Sequence, residues 1–130
     1  MNDQGTVVVI DDDELIRELL KSLLAKEGYL VHEASDGLEG LQKIKDIKPD
    51  IVFCDRLMPK MSGVAVREYL QERMPETKTE FVFLTSLTDA RDKHAVINLN
   101  VSDYLEKPVT PATLHACLQH LKDRNLSPSL

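Results

Sequence analysis

Residues 50–63 read DIVFCDRLMPKMSG, and this stretch decides the fold. Ile51 to Cys54 is a short apolar run that reads as a buried strand, and it stops on a charge, Asp55. Behind it Pro49 breaks a helical pattern; ahead of it a loop with Pro59 and Gly63 leads into a helix carrying Val66, Tyr69 and Leu70. Working outward toward the N-terminus, Thr6 to Ile10 is a second β-branched run, closing on Asp11, Asp12 and Asp13. From Glu14, Leu15, Ile16, Leu19, Leu20, Leu23 and Leu24 recur at helical spacing, with Gly28 as a stop. Leu30 to Ala34 is a shorter strand, and Asp36 and Gly37 open a helix with Leu38, Leu41 and Ile44 on one face. Toward the C-terminus, Phe81 to Leu84 is a strand ending at Thr85 and Ser86, and Asp89 to Leu99 reads as a helix. Val101 to Glu106 is the fifth strand, stopped by Lys107 and Pro108, and a last helix runs from Pro111 through Leu114, Leu118 and Leu121. Five strands alternating with five helices predict an α/β fold, a parallel sheet covered on both faces.

The chain has 130 residues, enough for one domain with an adequate hydrophobic core. We expect that domain over residues 1–123, followed by a polar tail or linker over 124–130. A net charge of −6, with basic and acidic residues interspersed, argues against a nucleic-acid or anionic-membrane surface. No stretch approaches the ~18 apolar residues of a membrane span, and MNDQG lacks the features of a signal peptide. Cys54 and Cys117 have no metal-type spacing, and Cys54, inside an apolar run, reads as a buried, reduced thiol, so a cytoplasmic location is the default expectation. The histidines form no i, i+4 pair and read as surface or partly packed residues.

Four of the five strands end in polar residues with chemical potential: Asp11, Asp12 and Asp13, then Asp55, Thr85 and Lys107. In a parallel sheet all carboxyl ends share one edge, where open α/β sheets bind ligands. Neighbouring carboxylates repel unless a cation lies between them, and oxygen-only ligands suit Mg²⁺. A lysine and a hydroxyl nearby complete a site for a dianionic group, with a carboxylate as phosphoryl acceptor. Taken singly, each residue has an ordinary reading. The acidic triple caps a helix, with Asp13 the N-cap, and Asp55 and Thr85 are turn residues; Lys107 is a solvated loop lysine. Those readings would all have to hold at one sheet edge, and the functional reading is preferred. Tyr104 is compatible with an aromatic that merely fills a strand face.

The stretches VVVIDDDELIREL, DIVFCDRLMPKMSG, FVFLTS and SDYLEKP, in this order and at these intervals, resemble the response-regulator receiver family of two-component signalling. The resemblance spans Val7 to Leu121. It implies a flavodoxin-like sheet of order 2-1-3-4-5 and Asp55 as the phosphorylated aspartate. It further implies that Asp11, Asp12, Asp55 and the backbone carbonyl of Leu57 hold Mg²⁺, for which Mn²⁺ can substitute. Thr85 then follows the phosphoryl oxygens, Lys107 pairs with carboxylate and phosphate, and Tyr104 is a switch aromatic. A cis Lys107–Pro108 peptide is implied as well. The implied donor is a sensor histidine kinase or a histidine phosphotransfer protein. The implied readout is the surface of the fourth helix, fifth strand and fifth helix, acting on a downstream protein, an output domain or a second copy of the chain.

Two positions depart from the family pattern, Asn100 where glycine is usual and Val109 where an aromatic is common. Leu57 and Leu87 are apolar two residues beyond Asp55 and Thr85, and we expect them to slow attack by water on the phosphorylated form. Leu57 also stands where aspartyl-phosphate hydrolases carry a second aspartate, which counts against a turnover enzyme. The complete set of site residues counts against a receiver-like module without chemistry. A signalling switch that catalyses its own phosphorylation and dephosphorylation is the expectation.

Overall fold

The computed structural model describes residues 4–86 and 101–126. Five strands and four helices fall within them: β1 (Gly5–Ile10), α1 (Glu14–Lys26), β2 (Tyr29–Ala34), α2 (Gly37–Ile47), β3 (Ile51–Asp55), α3 (Gly63–Arg73), β4 (Glu80–Ser86), β5 (Asp103–Lys107) and a C-terminal helix (Pro111–Leu126). The helix expected over Asp89 to Leu99, together with Leu87 and Asn100, lies outside the described residues. All four strand pairings are parallel, in the order β2-β1-β3-β4-β5. The α/β sheet and its order are therefore as expected.

Successive strand residues face opposite ways, which is why strands covered on both sides must be apolar throughout. Val7, Val9 and Phe53 join a core with Leu20 and Leu24 of α1 and Leu114 and Leu118 of the C-terminal helix. Val8, Ile10, Val52 and Cys54 face the other way, onto Ile44 of α2 and Val66 and Leu70 of α3. Val109, where an aromatic is common in receivers, is buried in the first of these cores.

Each helix start has a local chemical cause. The Asp13 carboxylate accepts from the Leu15 amide at 3.0 Å, Asp36 from Glu39 at 2.8 Å, and the Ser62 hydroxyl from Ala65 at 3.1 Å. Ahead of Pro111 a reciprocal pair closes the C-terminal helix: Thr110 donates its amide to the Thr113 hydroxyl and accepts from the Thr113 amide. That helix continues to Leu126.

Apolar periodicity overstated two faces. Leu15 and Leu38 are exposed although both fit helical apolar patterns. Leu38 stands about 100° round α2 from Gly37, away from the stripe of Gly37, Gly40, Leu41 and Ile44 that meets the sheet. On α1 the inward stripe is Ile16, Leu20, Leu23 and Leu24.

Candidate functional site

The carboxyl ends of β1, β3, β4 and β5 converge, and the side chains there build one polar cluster. Asp11, Asp12 and Asp55 each offer a carboxylate oxygen, all within 4.8 Å of one another. Asp11 is fully buried, Asp55 partly so and Asp12 exposed. Lys107, at the end of β5, reaches across β4 to Asp55 and across β4 and β3 to Asp11. Its Nζ lies 2.9 Å from Asp11 Oδ2 and 3.5 Å from Asp55 Oδ1.

Asp11 is hydrogen-bonded at its amide, its carbonyl and Oδ1, while Oδ2 has the ion pair with Lys107 and no hydrogen bond. Its amide donates to Ala34 O at 3.1 Å, and its Oδ1 accepts from the Asp13 amide at 2.9 Å. Its carbonyl accepts from Arg17 Nη1 at 2.8 Å, and Oδ2 is the atom paired with Lys107. Asp55 Oδ1 accepts from the Arg56 amide at 2.8 Å. Burial, followed by the charge of Asp11, raises the Asp55 carboxyl above its ordinary value, against the opposing pull of Lys107 and the Arg56 amide. Burial disfavours the charged Lys107, yet Asp11 and Asp55 together raise its pKa. The cluster thus carries more negative charge than its one lysine balances. Oxygen donors at this spacing fit a hard divalent cation.

Thr85 is the second polar residue buried here, and its Oγ1 has no hydrogen-bond partner among the described residues. An unpaired hydroxyl in a protein interior is unfavourable, so this one is ready to donate to an anionic oxygen brought to the edge.

The loop from Arg56 to Ser62 is held down by close backbone approaches. The Gly63 amide donates to Arg56 O at 2.8 Å, and a Cβ at Gly63 would overlap the carbonyl oxygen of Asp55. A Cβ at Gly37 would overlap Met61 O, so α2 packs against the same loop only because that position is glycine. The Leu57 side chain is exposed on this loop, beside the acidic cluster in sequence. Tyr104 is half-buried on β5, in register with Phe83, and packs against the α2–α3 core. The Lys107–Pro108 peptide is cis.

Sequence reasoning missed Arg17 and Glu33. Arg17 Nε pairs with Glu33 at 2.9 Å while its Nη1 holds the Asp11 carbonyl. A charged residue within the second strand was the available signal, but its partner is fixed only by how α1 lies on β2.

A doubly wound parallel sheet with an acidic, lysine-bridged cluster at its carboxyl edge defines a flavodoxin-like α/β domain with a candidate cation site at that edge. Comparison with known proteins narrows the class. A family profile for the response regulator receiver domain matches residues 7–119. An uncharacterized response regulatory protein of Vibrio cholerae is 40% identical over 120 residues, covering 89% of this chain and 48% of that protein. The alkaline phosphatase synthesis transcriptional regulatory protein PhoP of Bacillus subtilis is 33% identical over 119 residues, covering 92% of this chain and 49% of PhoP. Among solved structures, the chemotaxis protein CheY4 of Vibrio cholerae superposes with a TM-score of 0.79 at 31% identity, covering 88% of this chain and 96% of CheY4. The chain belongs to the response-regulator receiver family, a family of two-component signalling switches. It spans about half the length of the curated relatives it matches. No helix among the described residues is long and apolar enough to cross a membrane.

Proposed function

We propose that this receiver accepts a phosphoryl group on Asp55 from the phosphohistidine of a sensor histidine kinase or histidine phosphotransfer protein, in a Mg²⁺-dependent reaction in the cytoplasm. The observation that carries the proposal is the convergence of Asp11, Asp12 and Asp55 within 4.8 Å, with Lys107 bridging two of them.

Asp11, Asp12, Asp55 and the backbone carbonyl of Leu57 would hold Mg²⁺, or Mn²⁺ in its place. When bound, the ion offsets the charge of the cluster and of the phosphoryl oxygens. The rest is the work of the chain's own residues. Lys107 and the Arg56 amide occupy Asp55 Oδ1, which leaves Oδ2 to attack phosphorus. The new O–P bond forms in line as the P–N bond to the donor histidine breaks, and the leaving nitrogen keeps the electron pair. The Lys107 ammonium then turns toward the phosphoryl oxygens, and the Thr85 hydroxyl donates to one of them. Water attack on the same phosphorus later returns the free carboxylate and inorganic phosphate.

Phosphorylation replaces the single charge of the Asp55 carboxylate with a phosphoryl group of about −1.5 to −2, a net gain of up to about one negative charge at the edge. Movement of Thr85 toward that charge opens space into which Tyr104 turns. The surface of β5, the C-terminal helix and the helix expected over 89–99 then shifts population toward an active form. That form would engage a downstream protein, an output domain or a second copy of the chain. Measurement of intact mass after incubation with acetyl phosphate tests the core of this reading. A gain of one phosphoryl group that needs Mg²⁺ and disappears in Asp55→Asn is expected. A protein that binds Mg²⁺ but gains no mass from acetyl phosphate or from phosphohistidine donors would overturn it.

A further inference from the structure

We propose that Arg17 is a positioning residue of the acidic site and that Glu33 keeps it in that role. This rests on the metal-binding reading of Asp11, Asp12 and Asp55.

Arg17 on α1 donates from Nη1 to the carbonyl oxygen of Asp11 at 2.8 Å. That oxygen belongs to the peptide joining Asp11 to Asp12. A peptide unit is planar, so fixing its oxygen fixes the direction in which the chain leaves Asp11, and with it the placement of the Asp12 carboxylate. The other side of Asp11 is already tied to β2 through its amide and Ala34 O. Arg17 therefore restrains the peptide plane between the two acids, and so narrows where the Asp12 carboxylate can stand. Its side chain is only 14% exposed, which limits its alternatives.

A guanidinium bound to the Asp11 carbonyl can also compete for the acids of the site, because its fork matches a carboxylate well. Glu33 removes the rivalry. It takes Arg17 Nε at 2.9 Å, and Lys21 Nζ stands 3.4 Å from its other oxygen. The Glu33 backbone is itself anchored, its carbonyl accepting from Lys43 Nζ. Arg17 is thereby directed to a backbone oxygen instead of to the Asp12 carboxylate. A simple staple between α1 and β2 would need the Arg17–Glu33 pair but not the bond to Asp11.

Titration of the whole chain with Mn²⁺, read as free Mn²⁺ by electron paramagnetic resonance and checked by Mg²⁺ competition, tests this. Arg17→Gln is expected to weaken binding about tenfold, as loss of an outer partner of a metal site does. Arg17→Lys, one donor group in place of a fork, should restore only part of the affinity. Acetyl phosphate labelling of Arg17→Gln should fall in step with the lost affinity when Mg²⁺ is below saturation. Glu33→Gln should weaken binding, and the double variant should bind no more weakly than Arg17→Gln alone, since Glu33 acts only through Arg17. Urea unfolding of each metal-free variant reports stability separately. Affinity within about twofold of wild type in Arg17→Gln and Arg17→Lys, with stability reduced, would make Arg17 a staple and overturn the proposal; additive losses in the double variant would overturn the role of Glu33. A wild-type chain that binds no Mn²⁺ would overturn the metal reading itself and this inference with it.

Discussion

Replacing Lys107 with alanine isolates the electrostatic problem at this sheet edge. The lysine is paired with the fully buried Asp11 at 2.9 Å and with Asp55 at 3.5 Å, and its side chain is only 23% exposed. Removing one partner of a buried pair typically costs about 3–5 kcal/mol, because the remaining charge stays in the interior without compensation. Partial exposure of Lys107 and Asp55 places the expected loss at the lower end, about 3 kcal/mol at pH 7.5 without metal, or roughly 10 °C in Tm. The loss depends on pH in a definite direction. Asp55 is already raised above its ordinary value, so the folded state holds its proton to higher pH than the unfolded chain does. Its stabilising contribution is complete below the unfolded value and is lost as pH rises through the folded one. Lys107 opposes the upward shift, so its removal raises Asp55 further and extends that window upward. The deficit should therefore be smallest near pH 4, grow toward pH 7.5, and shrink again with saturating Mg²⁺. Urea unfolding at the two pH values, with and without Mg²⁺, measures all three. A deficit below about 0.5 kcal/mol at pH 7.5, or one independent of pH, would refute the reasoning, since surface pairs behave that way.

The remaining predictions address neighbouring residues. Asp55→Asn removes a carboxylate that burial and Asp11 disfavour, so the metal-free variant should be more stable than wild type at pH 7.5, with a flatter stability–pH profile by thermal unfolding. Gly63→Ala places a Cβ against the Asp55 carbonyl, and a loss of about 1–3 kcal/mol with slower acetyl phosphate labelling is expected; a wild-type labelling rate would show that the loop does not hold Asp55. Changing Leu57 and Leu87 together to glutamine should shorten the phosphorylated half-life by admitting water, and an unchanged half-life in a mass-spectrometric decay series would discard that role. Asp13→Ala should cost about 1 kcal/mol by removing the cap on α1.

Most of the fold was legible in residue order. The apolar runs closing on Asp11, Asp55 and Thr85 declare strands buried on both faces, and alternation with helical patterns leaves a parallel sheet as the economical arrangement. Because parallel strands bring all their carboxyl ends to one edge, the gathering of Asp11, Asp12, Asp55, Thr85 and Lys107 followed from sequence before any distance was known. Strand order, and the roles proposed for Leu57 and Tyr104, came from family resemblance instead. Helical spacing marked Leu15 and Leu38 as core residues, yet both are exposed, because periodicity shows that a face exists without showing how wide a stripe the sheet will cover.

What only the tertiary structure decided are matters of distance between elements far apart in the chain. Lys107 reaches Asp11 from across two intervening strands, and Arg17 meets both Asp11 and Glu33 because of the angle at which α1 lies on the sheet. The overlap that a side chain at Gly63 would make with Asp55 is equally invisible in the sequence, where that glycine reads as an ordinary turn residue. Local chemistry names the groups able to act, through strand ends, caps and charge. Long-range packing sets their separations to a few tenths of an ångström, and with them the charge balance and the pKa shifts, because electrostatic energy depends on distance and burial, which no linear pattern records.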